Sequence, residues 1–196
     1  GYSSDNFFTF AYDFTGDGWN DVLTYGLPGT PACLYVNNHN ADGVWKRHQV
    51  FDKVDNESPE LRDLTGDGQP EIICNYNGQF GYAGPDPADP TKAWKFQAIT
   101  EGGNWGRFTH GCGVGDVNGD GRKDILFKHG WFEQPEAWDG KTPWKLHSFV
   151  FSPGGGAQMF VYDVNGDGLN DVITSLAAHG YGLAWYEQVR KGAAVT

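Results

Sequence analysis

Four nine-residue stretches of this chain carry oxygen-bearing side chains at their first, third, fifth and ninth places. The clearest are Asp163-Val-Asn-Gly-Asp-Gly-Leu-Asn-Asp171 and Asp116-Val-Asn-Gly-Asp-Gly-Arg-Lys-Asp124, and looser copies cover residues 13–21 and 63–71. Glycines, which readily adopt positive φ, stand at the fourth and sixth places. Calcium binds six to eight oxygen atoms at about 2.3–2.6 Å. The four loops therefore predict up to four bound Ca²⁺ ions.

The predicted ligands include one backbone carbonyl in each loop, because the seventh residue varies freely between the copies. Loop by loop, the ligands are Asp13, Thr15, Asp17, Trp19 and Asp21; Asp63, Thr65, Asp67, Gln69 and Glu71; Asp116, Asn118, Asp120, Arg122 and Asp124; and Asp163, Asn165, Asp167, Leu169 and Asp171. Residues 19, 69, 122 and 169 would bind through their carbonyl oxygens. Threonine at the third place and glutamate at the ninth predict weaker binding in the first two loops. Asp-Gly turns also form without metal, but four copies favour calcium.

The spacing of the loops indicates the architecture that positions them. Their first aspartates lie 50, 53 and 47 residues apart, and repeats of about this length with short strands are typical of β-propeller blades. In each unit an innermost strand leads into the loop, a second strand leaves it, a third carries aromatic residues, and a fourth begins with a Trp-Lys pair. The sequence predicts an all-β fold, a β-propeller of four-stranded antiparallel blades with about four blades present. The predicted units of this single region, 1–196, are about 7–56, 57–109, 110–156 and 157–196.

The last unit is incomplete, because the chain from Val189 to Thr196 contains no Trp-Lys strand. We therefore expect the region to be part of a larger propeller, for example a seven-bladed one, completed by further blades or by another chain. Trp45, Trp94 and Trp144 recur at equivalent places, so we expect them to pack between blades rather than to stack on a sugar.

A second group of candidate residues is expected on the face opposite the loops. When the units are aligned on their first loop aspartates, Glu57 and His110 fall at the start of innermost strands, and His129 and His179 fall in the turn after the second strand. Imidazoles with a carboxylate are common ligands of catalytic zinc, so these four residues form a candidate second metal site for Zn²⁺. In an enzyme, His110, His179 and Tyr181 are the candidate catalytic residues. His-Gly pairs are also ordinary tight-turn residues, and that alternative stays open.

The charge and the apolar pattern exclude several classes of partner. The formal net charge of −11 disfavours nucleic acid as a ligand, although 12 of the 25 acidic residues lie in the loops, where four calcium ions would bring the charge to −3. No apolar stretch approaches the ~18 residues of a membrane span. Calcium loops of this kind suit millimolar external calcium, and no signal peptide precedes Gly1. We therefore expect a processed protein that is secreted, extracellular or periplasmic. Cys33, Cys74 and Cys112 lie in apolar runs and are expected to be free thiols.

The Asp-Val-Asn-Gly-Asp-Gly-x-x-Asp motif followed by an apolar strand resembles the FG-GAP, or VCBS, repeat. The resemblance covers all four units, and it implies a calcium-bearing propeller like those of integrin α chains, fungal lectins and secreted bacterial proteins. The segments 107–116, 130–134 and 179–188 are more weakly similar to the propeller domain of aldos-2-ulose dehydratase-like secreted bacterial proteins. That second resemblance implies a metal in the central cleft, although no cupin domain of that enzyme is present.

Three functions are compatible with these features. The favoured one is an extracellular calcium-binding module that binds a carbohydrate or a protein partner on the face opposite the loops. The second is a zinc-dependent sugar lyase or dehydratase that uses the histidine cluster. The third is a structural display or adhesion scaffold without pocket chemistry. Propellers serve all three purposes, so the fold alone does not choose between them.

Overall fold

The fold is built from short β-strands. The computed structural model of the chain describes residues 6–103, 105–191 and 194–195, and these residues contain no helix, so none that could cross a membrane. In chain order the strands are β1 (Phe8–Tyr12), β2 (Asp21–Tyr25), β3 (Thr30–Val36), β4 (Lys46–Arg62), β5 (Glu71–Tyr76), β6 (Gln79–Gly84), β7 (Lys95–Ala98), β8 (Cys112–Gly115), β9 (Asp124–Phe127), β10 (Gly130–Glu133), β11 (Lys145–Ser148), β12 (Gln158–Tyr162), β13 (Asp171–Ser175), β14 (Leu183–Tyr186), β15 (Arg190–Lys191) and β16 (Ala194–Val195). The start of the chain at Gly1 and part of the tail that lacks a Trp-Lys strand lie outside the described residues.

The strands form four blades that are joined in two seven-stranded sheets. Blade 1 consists of β1, β2, β3 and the first half of β4, and blade 2 consists of the second half of β4 with β5, β6 and β7. Blade 3 contains β8 to β11, and blade 4 contains β12 to β14. Within each blade, neighbouring strands run antiparallel. The predicted all-β, propeller-like fold is confirmed.

The hydrophobic core is divided into three clusters, one at each interface between neighbouring blades. Successive side chains of a strand point to opposite faces, so one strand contributes to two interfaces. In β5, Ile72 packs in the cluster shared with blade 1, and Ile73 packs in the cluster shared with blade 3. In β9, Ile125 and Leu126 repeat this arrangement. The three cysteines are buried thiols that form no disulfide, as expected.

The repeated tryptophans pack between blades wherever a preceding blade is present. Trp94 is buried in the first cluster, with its ring centroid 5.5 Å from that of Phe14. Trp144 is buried in the second cluster. Trp45 holds the same place in blade 1 and is only half-buried, on the side of that blade that no other described blade covers. The structural interpretation of Trp94 and Trp144 is confirmed.

The blades are not separate sheets, because strands connect neighbouring blades in two places. β4 runs from the outermost place of blade 1 to the innermost place of blade 2, so the predicted boundary at 56/57 lies inside a strand. The strand bends there, because Asn56 has a φ of 90° and the register with β5 shifts beside it. In addition, β8 pairs in parallel with β12. Gly113 and Gly115 allow this approach, since a Cβ on either would overlap Met159 or Val161.

Candidate functional site

The four loops lie between the first and second strands of their blades and share one backbone conformation. The glycines at the fourth and sixth places all have positive φ, between 72° and 90°. In the first loop, Asp13 Oδ1 accepts a hydrogen bond from the Gly16 N–H at 2.7 Å, and Asp13 Oδ2 accepts one from the Gly18 N–H at 2.8 Å. Asp116 and Asp163 repeat both bonds. The tight coiling that calcium binding requires is therefore present in the protein's own backbone.

The third and seventh residues of the loops are held in different ways. The seventh residue donates its backbone N–H to the fifth aspartate at 2.8–2.9 Å in all four loops, at Trp19, Gln69, Arg122 and Leu169. At the third place, Asn118 and Asn165 hydrogen-bond to the fifth residue of their loops. The hydroxyl oxygen of Thr15 is buried, and the hydroxyl group lies beside the carboxylate of Asp17, the fifth residue of its loop. A buried oxygen next to a carboxylate fits a ligand to a cation at this place.

The ninth residue is buried in every loop. Asp124 Oδ2 accepts from the Val117 N–H and Oδ1 accepts from the Gln134 N–H, both at 2.9 Å. Asp21 and Asp171 make the same pair of bonds, one to the loop and one to the residue just beyond the third strand. Burial raises the pKa of Asp124 to about 7, against the opposing effect of its two N–H donors. A cation beside such a carboxylate would favour its ionised form.

The second loop differs from the other three at this place. Glu71 Oε2 accepts from the Leu64 N–H, and Oε1 accepts from the Thr65 hydroxyl, each at 2.7 Å. Carboxylate oxygens of Asp63, Asp67 and Glu71 lie within 4.8 Å of one another, which is not the case for the acids of the other three loops. The extra methylene of Glu71 lets its carboxylate reach the other two. The loop that we expected to bind calcium more weakly thus brings its carboxylates closest together.

Basic side chains approach three of the loops. His39 Nε2 lies 3.0 Å from Asp17 Oδ2, and Lys123 Nζ lies 3.8 Å from Asp63 Oδ2. The guanidinium of Arg122 contacts the carboxylate of Asp120. Opposite charges attract at these distances, so each of these contacts compensates part of the negative charge of its loop.

On the face opposite the loops, Glu57, His110 and His179 converge from three different blades. Glu57 Oε2 lies 3.3 Å from His110 Nδ1 and 3.7 Å from His179 Nε2. The two imidazole rings meet edge to face with their centroids 4.8 Å apart. Zinc–ligand bonds of about 2.0–2.1 Å place the ligand atoms of a tetrahedral site roughly 3.4 Å apart. The donor types and the spacing of this group therefore fit three ligands of a zinc ion.

Contacts between blades hold the three side chains in place. The Glu57 N–H donates to the Thr109 carbonyl at 2.9 Å, which places Glu57 beside the segment that carries His110. Gly155 packs against His110 so closely that a Cβ on the glycine would lie 2.8 Å from the His110 Cβ. The turn that carries His179 forms a β-bridge with the same glycine segment. The site is thus formed by the chain segments that join the blades.

Two other predicted residues do not join this group. His129 lies in the turn after β9, and its exposed ring contacts Phe127 with a centroid distance of 6.1 Å. It is not one of the three residues whose ligand atoms lie within 4.8 Å of one another. Tyr181 is fully exposed, and the described part of the chain shows no contact between it and the group. Of the candidate catalytic residues, the structure brings together His110 and His179.

A depression of about 330 Å³ adjoins His110 on the same face. Its lining combines the rings of Trp105 and Phe127, with the fully buried ring of Phe80 beneath them, and the polar groups of Asn56, Thr109, Lys128 and His129. Trp105 stacks on Phe80 with a centroid distance of 5.0 Å. The aromatic part of this depression was not predicted. The available signal was Trp105 itself, which lies outside the Trp-Lys pattern and follows a glycine pair.

Comparison with known proteins identifies a repeat family in one part of the chain and solved structures with a similar fold. Residues 13–74 match the FG-GAP-like repeat family. An Agrocybe aegerita lectin, described as specifically recognising non-reducing terminal N-acetylglucosamine, is 19% identical over 90% of this chain and 52% of its own, with a TM-score of 0.54. The Vibrio cholerae biofilm matrix protein Bap1 is 19% identical over 85% of this chain and 27% of its own, with a TM-score of 0.45. No curated protein matches the sequence.

The chain spans about half the length of the lectin and about a quarter of Bap1. At this identity the similarity to the lectin concerns the fold alone. The family match covers the first two loops, which are the two that depart from the motif at the third place. Residues 13–74 therefore match an FG-GAP-like repeat, within an all-β, propeller-like fold.

Proposed function

We propose that the chain is an extracellular, calcium-stabilised propeller module that binds carbohydrate on the face opposite the loops. The observation that carries this proposal is the depression beside His110, where aromatic rings and hydrogen-bonding side chains line one cavity. Sugars present both apolar C–H faces and hydroxyl groups, so their recognition needs both kinds of lining. The Agrocybe aegerita lectin has a similar fold and recognises terminal N-acetylglucosamine, which makes that sugar the first ligand to test. A protein ligand on the same face is the competing possibility.

A glycan screen followed by calorimetry tests the carbohydrate site. Lys128 and His129 line the depression, and His129 is exposed, so Lys128→Ala and His129→Ala should weaken sugar binding about tenfold or more without unfolding the chain. His39→Ala is the matched control, because His39 lies at the first loop. A failure of all glycans to bind the wild-type chain would favour a protein ligand. Equal losses in the control would contradict the assigned site.

Calcium is proposed as the stabilising ion of the loops, with up to four ions per chain. Support comes from the buried ninth carboxylates, the buried Thr15 oxygen beside Asp17 and the close carboxylates of the second loop. Weak loops of this kind are filled where calcium is millimolar, and this supports a secreted or periplasmic location. Calorimetric titration of chelator-treated protein measures the number of ions.

The group formed by Glu57, His110 and His179 favours a second candidate function, a zinc-dependent sugar lyase or dehydratase. These three side chains would hold the metal through one carboxylate oxygen and two imidazole nitrogens. A zinc ion bound there would supply Lewis-acid polarisation of a sugar oxygen. His179 is 80% exposed at its side chain, so the group is open to a ligand from solvent.

Elemental analysis after mild removal of calcium tests this second function. If the group binds zinc, the wild-type chain should retain about one zinc ion, and Glu57→Gln or His110→Ala should lose it. His48→Ala, in the outermost part of blade 1, is the control that should keep the metal. A wild-type chain that neither contains zinc nor binds added zinc would exclude the enzyme hypothesis, whereas it would leave the carbohydrate site untouched.

A further inference from the structure

The depression beside His110 is lined by basic side chains. Three of the described residues that line it carry ionisable groups, and these are His110, Lys128 and His129. None of the described lining residues carries a carboxylate. The chain as a whole has a formal net charge of −11, so the lining is opposite in character to most of the molecule. This difference bears on the kind of sugar that the depression would accept.

Lys128 is half-buried, and its amine has no ionic or hydrogen-bonding partner among the described residues. Four other lysines have their Nζ atoms 3.0–3.8 Å from a carboxylate, and these are Lys53, Lys92, Lys123 and Lys145. An ammonium group that has lost part of its hydration without gaining a counter-ion is in an unfavourable environment. A ligand that brings an anionic group into the depression would supply the missing counter-ion.

The main chain fixes the position of Lys128 at the wall of the depression. The residue lies in the turn between β9 and β10, and its carbonyl accepts the Phe151 N–H at 3.0 Å and the Ser152 N–H at 3.1 Å. On its other side, a Cβ on Gly111 would lie 3.4 Å from the Lys128 N atom and 3.6 Å from its Cβ. The base of the lysine side chain is therefore held in place, and only the flexible part beyond Cβ has to adjust to a ligand.

The carboxylates that flank the bend in β4 are already paired with basic side chains. Glu57 Oε2 lies 3.3 Å from His110 Nδ1. The Asp55 carboxylate lies 3.5 Å from both Lys53 Nζ and Arg107 Nε. Neither of these two acids is among the residues that line the depression. The positive charge of the lining is therefore available to a ligand.

The aromatic part of the lining offers a surface for a sugar ring. Trp105 and Phe127 are partly exposed there, and their ring centroids lie 5.1 Å apart. An isolated β-bridge to Gly78 holds the backbone of Trp105. Aromatic rings bury apolar C–H surface, and a few placed polar groups then fix the orientation of the ligand. The same depression thus combines a surface for a pyranose ring with a cation for an acidic substituent.

We propose that the preferred ligand of the depression is an acidic sugar, that is, a hexose residue that carries a carboxylate or a sulfate group. This inference rests on the carbohydrate site proposed above and specifies the chemical class of its ligand. The ring would pack on Trp105, the anionic group would pair with the Lys128 ammonium, and the His129 imidazole would donate a second hydrogen bond. Charge-assisted hydrogen bonds are about twice as strong as neutral ones. Because the net charge of −11 repels anions in general, a preference for an acidic sugar would have to come from this local group.

Matched sugars test the proposal on the whole chain. Methyl glucoside, methyl glucuronide and methyl glucoside 6-sulfate differ only in the substituent at one carbon, and the galactose series repeats the comparison. Calorimetric titration in calcium-containing buffer should give at least one acidic sugar a dissociation constant about tenfold below that of its neutral counterpart. The carboxylate and sulfate members show which anionic group is preferred. The preference should shrink at high salt, since ions screen partly exposed charges.

Substitutions at Lys128 connect the preference to the depression. Lys128→Gln should bring the ratio of the two dissociation constants close to one, and Lys128→Arg, which keeps the charge, should retain most of the preference. Lys95→Gln is the matched control, because it removes the same charge from an exposed position at the start of β7. Titration with the acidic sugar should also shift the amide signals of residues 127–129 and the indole signal of Trp105.

The possible results distinguish this inference from the carbohydrate site itself. Equal affinities for the neutral and acidic members would contradict the inference and leave the carbohydrate site standing. A preference that survives in Lys128→Gln would also contradict it. So would signal shifts confined to residues 13–21, 63–71, 116–124 and 163–171, because the anion would then bind through calcium at the loops. If no sugar of either kind binds the wild-type chain at millimolar concentration, the proposed function fails and this inference fails with it.

Discussion

The ninth residue of each loop joins the loop to the strands around it. Asp21, Asp124 and Asp171 are buried, and each accepts one N–H from its loop and another from beyond the third strand of its blade. A carboxylate has about four acceptor positions, so these two bonds leave positions for a cation. The same side chain thus orders the blade and would be a ligand of the proposed calcium ion. Removal of that ion should then destabilise the strands around the loop as well as the loop itself.

The titration of Asp124 gives a prediction at this scale. In calcium-free protein its carboxyl group should titrate near pH 7, because burial raises its pKa. This folded-state pKa is above the value of 3.8 for a free aspartate, so the calcium-free chain should lose stability as the pH rises from about 4 to about 7. Calcium should lower the pKa, since a cation favours the ionised form.

Carbon-13 chemical shifts of the Asp124 carboxyl group, followed against pH, measure this directly. Asp139 provides an internal control, because it lies outside the loops and its Thr142 and Lys141 partners hold its pKa near 2 with or without calcium. A midpoint near pH 4 for Asp124 in calcium-free protein would contradict the assigned effect of burial. A midpoint that calcium does not move would argue against binding at the third loop.

At the scale of elements, the tryptophan that precedes a fourth strand packs its blade against the preceding blade, where a preceding blade is present. Trp94 should contribute far more stability than Trp45, although both begin the same strand of their units. Trp94 is buried against Phe14, and removal of a buried indole typically costs about 3–5 kcal/mol. Trp45 is half-buried on an uncovered side, so its loss should cost roughly 1 kcal/mol or less.

Denaturant unfolding of Trp94→Ala and Trp45→Ala compares the two places. The pair is matched in residue type, substitution and position within the repeat, so the difference isolates burial between blades. Equal free energies of unfolding for the two variants would mean that the first cluster does not depend on Trp94.

The regular strands and the coiled conformation of the four loops could be predicted, because the residues that determine each of them lie within one unit of the sequence. The second strands begin at Asp21, Glu71, Asp124 and Asp171, as expected from the apolar runs that follow each loop. The contacts between units were less predictable. The bend at Asn56 that brings Glu57 to His110, and the parallel pairing of β8 with β12, depend on backbone approaches between distant segments. A periodic pattern within one strand contains no information about such approaches.

The candidate sites show the same contrast between features determined within one repeat unit and features that depend on contacts between units. Glu57, His110 and His179 could be selected from their places in the repeat, since those places meet at one mouth of the channel. The positions of His129 and Tyr181 relative to these three residues depend on turn conformations, which the residue types alone do not determine. The aromatic depression depends on Trp105, which the repeat does not contain.

For the whole molecule, calcium should act as a stabilising ligand at many points at once. A chelator should lower the melting temperature by several degrees or more, because ions bound only to the folded state stabilise it by mass action. Differential scanning calorimetry with and without excess calcium measures the shift. Asp67→Asn, which removes one carboxylate of the closest set, should reproduce part of the chelator effect. An unchanged melting curve in chelator would refute a stabilising role for calcium.

The division of the core into three clusters also determines the order in which the blades should unfold. Each apolar cluster is shared only by neighbouring blades, so the stability of a blade is nearly a sum of local contributions. In the part of the chain that the structure describes, blade 4 shares one cluster and has three strands, whereas blade 2 shares two clusters and has four. Native-state hydrogen exchange should therefore open at Ile173 before the equivalent Ile73, and a single opening energy for both amides would contradict this order. Pulled at its two ends, the chain should lengthen in successive steps, beginning with blade 4.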